Sequence, residues 1–283
     1  MRSLLIILAY ILFAPVVGGF LSGLDRKLSA KMQGRVGPPL LQPFYDVFKL
    51  LTKENLLVSK SQDFFIICFF VFIVFTGALF FNGNDALLII FSLTLANIYL
   101  ILGAYASNSP YSHMGAEREM IQIMAYEPMM LLTLVGMYMV TGSFQVSGIA
   151  AFDKPLIYFL PGIFIGFMFI LGIKFRKSPF DLSMSHHAHQ ELVRGITTDF
   201  TGTTLALIEV AHWYENVFLL GFVYLFFASH PLVAILATLF VFLFEIFVDN
   251  NSARLKGSWV VRSSWAVAVV LGVINLAFLY WIN

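Results

Sequence analysis

Eight long, predominantly apolar stretches recur along the chain, at 3–24, 64–81, 86–106, 125–146, 155–173, 203–227, 231–248 and 263–282. A helix rises about 1.5 Å per residue, so roughly 20 apolar residues cross about 30 Å of hydrocarbon. The pattern predicts an all-α integral membrane protein with eight transmembrane helices. Composition agrees: 59% of residues are hydrophobic and 12% charged, against about 25% charged in soluble domains. An ordinary soluble enzyme and a disordered chain are both excluded. The first stretch is too long for the apolar core of a cleavable signal, and no small-x-small site follows before Asp25, Arg26 and Lys27. No soluble domain and no repeat is evident, so 1–283 reads as a single membrane domain.

Charge placement tests the span count. With connections assigned alternately to two sides, fifteen of the 17 Lys and Arg fall on one side. Seven lie in the first connection on that side (about 25–63), one in the second (107–124), four in the third (174–202) and three in the last (249–262). Only Arg2 and Lys154 fall on the other side. The positive-inside rule then predicts a multi-pass plasma-membrane protein with both termini outside and the long loops cytoplasmic. Net charge is +1, so no bulk field attracts nucleic acid. The lone Cys68 excludes an internal disulfide and an iron–sulfur cluster, which takes about four Cys ligands. No cofactor of the chain's own is expected.

Within the first cytoplasmic loop, Leu40, Phe44, Val47, Phe48 and Leu51 recur at helical spacing, with Gln42, Asp46, Lys49 and Lys53 off that stripe. Too short to span, this segment reads as an amphipathic interfacial helix on the cytoplasmic face or as a helix packed under the bundle.

The ionisable residues in or near spans carry the functional signal. An acid at the bilayer centre costs about 2.5–3.5 kcal/mol on insertion scales, so it needs a partner or a water-filled path. Glu127 opens the fourth span, just before Pro128, and Glu245 and Asp249 close the seventh one turn apart. Glu209, His212 and Glu215 share an arc of roughly 120° on the sixth. Clustered carboxylates and a histidine suit a proton relay or a cation site equally, and three ionisable groups in one span are hard to justify as paired structural charges. The third cytoplasmic loop carries Asp181, His186, His187, His189, Glu191 and Asp199. Its histidines lack the i, i+4 spacing and the Cys partner of a helical zinc site, so a loop that docks a partner and delivers protons is the better reading. No phosphate-binding loop, dinucleotide fingerprint or nucleophile elbow is present, so no catalytic constellation is expected.

Several stretches resemble one family. Asp25-Arg26-Lys27-Leu28 followed by Arg35-Val36-Gly37-Pro38-Pro39-Leu40-Leu41-Gln42-Pro43-Phe44 is similar to the first cytoplasmic loop of the NuoH-type subunit of respiratory complex I. Gly103-Ala104-Tyr105-Ala106 through Pro110-Tyr111, then Arg118 and Tyr126-Glu127, resembles its second loop. Ser178-Pro179-Phe180-Asp181-Leu182, Glu191-Leu192-Val193 and Asp199-Phe200-Thr201-Gly202 resemble its third. The histidine-bearing insert after Leu182, His212 in the sixth span and the run from Asp249 to Lys256 depart from complex I. They resemble the membrane anchor of energy-converting nickel–iron (NiFe) hydrogenases and the related sulfane reductases and formate hydrogenlyases.

The resemblance implies a coupling subunit without an active site of its own. It would sit under a peripheral hydrogenase-like arm of large and small subunits, which carry a NiFe centre and 4Fe–4S clusters. It would join that arm to antiporter-like membrane subunits that move protons or sodium. By the family pattern Glu127, Asp181, Glu191 and Asp199 fall at the junction and its proton path. Arg26, Arg35 and Arg118 fall at basic loop positions. Glu209, His212, Glu215 and Glu245 join the path from their place in the spans, and Asp25, His187 and His189 join the docking face. A sulfane reductase subunit, a quinone-site subunit, a purely structural anchor and an autonomous transporter are the alternatives. The last would call for broken helices repeated in two halves, which the sequence lacks.

Overall fold

The computed structural model of the chain describes residues 2–54, 60–184 and 194–282. Among them the ordered elements are helices: α1 (Arg2–Met32), α2 (Gln42–Leu51), α3 (Lys60–Phe81), α4 (Ala86–Tyr105), α5 (Pro110–Thr141), α6 (Val146–Ala150), α7 (Pro161–Lys174), α8 (Gly202–Leu225), α9 (Pro231–Asn251), α10 (Gly257–Val267) and α11 (Ile274–Ile282). A π-helical stretch, Ala268–Val273, links the last two. Among the described residues six segments are long and apolar enough to cross a membrane, in α1, α3, α4, α5, α9 and the continuous Gly257–Trp281. The stretch predicted at 155–173 begins instead with a single turn, Leu156–Tyr158, and then α7, which has 14 residues. Pro161 is the reason: it lacks a donor and starts a helix, while Leu160 before it is held outside the helical region at φ −122° and ψ 44°. The 24-residue α8 carries two acids and a histidine and is not among the six.

The chain divides into two compact units. The first comprises Met1–Ala78, Phe91–Met120 and Asp181–Val217. The second comprises Leu79–Ile90, Ile121–Phe180 and Phe218–Asn283.

Two prolines lie inside long helices, and each frees a carbonyl four residues back. In the first unit Pro15 of α1 leaves the carbonyl of Ile11 without its helical donor. The hydroxyl of Tyr214 on α8 donates to that oxygen at 2.6 Å. In the second unit Pro128 of α5 does the same to Met124, and the indole N–H of Trp265 donates to its carbonyl at 3.1 Å. An aromatic donor from another helix thus repairs each break, as an apolar surrounding requires. The start of α7 is handled likewise: Asn275 accepts from the Ile163 N–H and donates to the Phe159 carbonyl, each at 3.1 Å. One amide so replaces the missing side-chain cap of α7.

Close approach supports these bonds in the first unit. A Cβ on Gly18 of α1 would stand 2.5 Å from the Trp213 carbonyl of α8, so a glycine is needed there. α2 fills the adjoining corner. Its Val47 joins Ala206 and Trp213 in the core, with Phe44, Leu50 and Val210 packed against them. The predicted apolar stripe is therefore split: Phe44 and Val47 face the protein, while Leu40, Phe48 and Leu51 are exposed, as is Tyr45 beside them.

Tyr214→Phe should lower the thermal midpoint, because an acceptor left unpaired in an apolar surrounding costs about 1–3 kcal/mol. The same substitution should cost clearly less in a Pro15→Ala background, where residue 15 regains its own N–H. Equal losses in both backgrounds, read from unfolding of the purified protein in detergent, would show that the hydroxyl does not serve this carbonyl.

Candidate functional site

In the first unit the candidate side chains lie on α8 and at the two ends of the third connection. Glu215 is 2% exposed, and its Oε2 lies 3.5 Å from Nδ1 of His212 one turn earlier. The His212 ring meets the edge of Phe69 on α3 at 5.9 Å between centroids. α8 thus presents an acid–imidazole pair to an apolar wall. Such a pair can hand a proton between two atoms without either leaving its helix. Glu209, one turn further back, is half-buried and stands outside that contact. Asp181 and Ser183 are buried. The Ile196 N–H donates to the Ser183 carbonyl at 2.9 Å, so the two ends of the connection are bound to each other. Gly195 makes this possible, with φ at +60° and a hydrogen where a Cβ would meet the Ser183 carbonyl. Asp199 is half-buried just beyond. His186, His187, His189 and Glu191 lie outside the described residues.

The basic positions of the first unit divide. Arg26 pairs with Asp46 on α2 at 2.6 Å, and Asp46 also accepts from Gln42 at 2.8 Å. Arg26 therefore fixes α2 against the end of α1. Both ends of the pair are about 40% exposed (42% and 41%), so its contribution to stability is small, about 0–1 kcal/mol. Asp25 is half-buried and accepts from the Ser29 hydroxyl at 3.4 Å. Arg35 is exposed, donating to Gln33 at 2.8 Å, and Arg118 is half-buried on α5.

The second unit holds a set of buried cations. Lys174, Arg176 and Lys177 are only 4%, 7% and 8% exposed. By sequence they count among the cytoplasmic basic residues; by structure they are not a displayed surface. The Lys174 ammonium lies 4.4 Å from the Tyr126 ring centroid and donates to its hydroxyl at 3.4 Å. Glu127 follows on the same helix, half-buried. Glu245 on α9 is 4% exposed, with Lys177 and Asp249 as charges acting on it. These cations, with Tyr126, are further candidate residues that sequence reasoning did not place in the site. Their only signal was three basic residues within four positions directly after an apolar run. Among the described residues no group of three or more His, Cys, Asp or Glu is arranged to hold a metal ion.

Six helices long and apolar enough to cross a membrane, an acid–imidazole pair buried on α8 and cations buried at the end of α7, all among the described residues, define an integral membrane protein that keeps charge inside its fold. The chain belongs to the NADH dehydrogenase family, which it matches over residues 4–280. It is 28% identical to an H-type subunit of the NADH-quinone oxidoreductase of Geobacter metallireducens, over 97% of this chain and 91% of that one. It is 30% identical to the H-type subunit of the F420H2 dehydrogenase of Methanosarcina acetivorans, over 90% and 86% respectively. A chain of the membrane-bound sulfane sulfur reductase, an archaeal respiratory membrane complex, shares its fold with a TM-score of 0.88. That match has 22% identity and covers 99% of this chain and 100% of that one. The chain is thus a NuoH-like membrane protein.

A double-mutant cycle of Tyr126→Leu and Lys174→Met, read by thermal unfolding, should give a coupling of about 1–2 kcal/mol, as a desolvated cation–π contact does. Additive losses would mean that the ring does not hold the ammonium.

Proposed function

We propose that this chain is the membrane subunit that couples redox chemistry in a docked peripheral arm to proton or sodium translocation by neighbouring antiporter-like subunits. The observation that carries the reading is the His212–Glu215 pair, an almost fully buried carboxylate 3.5 Å from an imidazole, in a chain that matches its family from residue 4 to residue 280. Ionisable groups in an apolar wall are costly to keep, which favours a functional use of the pair over a purely structural anchor.

In this reading α7 and α8 complete eight spans within one membrane domain, and the exposed Tyr45, Phe48 and Leu51 of α2 face the interfacial zone. Trp259 and Trp265 at one end of the last span and Tyr280 and Trp281 at the other are exposed, as interfacial aromatic belts are, which supports a full crossing. The basic connections lie in the cytoplasm and the termini outside, in the plasma membrane. Redox events in the arm act on the third connection through Asp181, Glu191 and Asp199, with Asp25, Arg26, Arg35, Arg118, His187 and His189 on the docking side. Charge then shifts at Glu127 and Glu245 in one unit and at Glu209, His212 and Glu215 in the other. The NiFe centre and 4Fe–4S clusters belong to hydrogenase-like large and small subunits. A quinone-site role is the second reading, favoured by the names of the relatives at 28% identity.

Gentle affinity purification from the native membrane should bring down hydrogenase-like subunits together with antiporter-like ones, with nickel and iron in the sample. Iron without nickel would move the arm to a sulfur-reducing type. Bound quinone would favour the second reading. A chain that purifies alone and transports ions in liposomes by itself would overturn the coupling role.

A further inference from the structure

The start of the third connection is held by three parts of the second unit. Gln122 of α5 donates to the Phe180 carbonyl at 2.7 Å. Asp249 of α9 accepts from the Ser178 N–H at 2.8 Å. The Leu255 N–H, beyond the end of α9, donates to the Pro179 carbonyl at 2.9 Å. Lys177 adds a different kind of contact. Its side chain is buried, with the ammonium 5.6 Å from the Phe242 ring centroid. Phe242, Glu245 and Asp249 follow one another at i, i+3 and i+7, so they share a face of α9.

Glu245 on that face is buried against α7. A Cβ at Gly172 would stand 3.2 Å from its Oε2 and 3.1 Å from the Phe180 ring, so the glycine makes room for the carboxylate and the ring together. The charges acting on Glu245 are Lys177, of opposite sign, and Asp249 on its own helix. Burial disfavours a charge on Glu245, and Lys177 is the nearby opposite charge that offsets part of that cost. The peptide that carries Lys177 is the one whose next amide Asp249 holds.

We propose that Lys177 is a positioning residue: its attraction to Glu245 sets residues 177–180 against α9, so that a change of charge at Glu245 alters how firmly the third connection is held. The inference rests on the coupling role proposed above for Glu245, and it gives that role a mechanical output. When Glu245 carries its charge, Lys177 is drawn in and Asp249 keeps the Ser178 amide. When the charge is lost, Asp249 is left on this face to answer Lys177 as well as the Ser178 amide, and the hold on Ser178 weakens.

Amide hydrogen exchange of the intact complex, followed by mass spectrometry over peptides covering 176–182, tests this without reference to transport. Exchange there should rise about tenfold in Glu245→Gln and in Lys177→Met, as for a segment that opens locally, and stay near wild type in Lys177→Arg. The charge-swapped pair Lys177→Glu with Glu245→Lys should recover protection, which a merely space-filling role would not produce. Unchanged exchange in both neutral variants overturns the proposal, and so does a swap that exchanges as fast as either neutral variant. Loosened exchange with an unchanged number of ions moved per electron leaves Lys177 as the positioning residue and removes the coupling role of Glu245.

Discussion

An apolar surrounding offers no water to a broken hydrogen bond, and this fold is organised by that requirement. Pro15 and Pro128 each open a helix, and Tyr214 and Trp265 each close the gap from another helix. Asn275 does the same for the start of α7, at both its donor and its acceptor. These bonds do more than repair. Tyr214 lies between His212 and Glu215 on α8, so the bond that satisfies α1 also fixes the rotation of the helix bearing the acid–imidazole pair. Gly18 lets the two backbones approach closely enough for that bond. The setting of the His212–Glu215 pair on α8 is in this sense tied to a proline in α1.

Charge burial follows the same logic at higher cost. Lys174, Arg176 and Lys177 are buried at the end of α7, where the chain turns out of the helix. Tyr126 offers Lys174 a ring face and a hydroxyl, and Glu245 offers Lys177 an opposite charge. Buried ionic groups rarely add net stability over apolar packing, so their retention points to a use. The use proposed is communication between the cytoplasmic connections and the spans.

Much of this was legible in the sequence. The helices followed from the length of the apolar runs, and α8 stood out because two acids and a histidine interrupt one of them. The stretch at 155–173 was legible as apolar, but its shortening to α7 was not, since that depended on Pro161 acting as a helix start. The apolar stripe of α2 was readable by spacing; its division between a packed and an exposed side was not, because spacing does not say that Trp213 will cover Phe44. The cations after α7 read as loop charges, because orientation rules count charges without asking what each one touches. Cross-helix partners such as Tyr214 with Ile11 are set by tertiary packing, and no local pattern encodes them.

The central claim is that the buried pair on α8 carries charge movement that the redox arm drives. The most direct measurement is the number of ions moved per electron by the intact complex in proteoliposomes, with Glu215→Gln compared to wild type and dye-linked redox activity of the arm followed in the same preparation. The account predicts that the ion yield per electron falls severalfold while the dye-linked activity is retained. Full ion yield from the Glu215→Gln complex would contradict it.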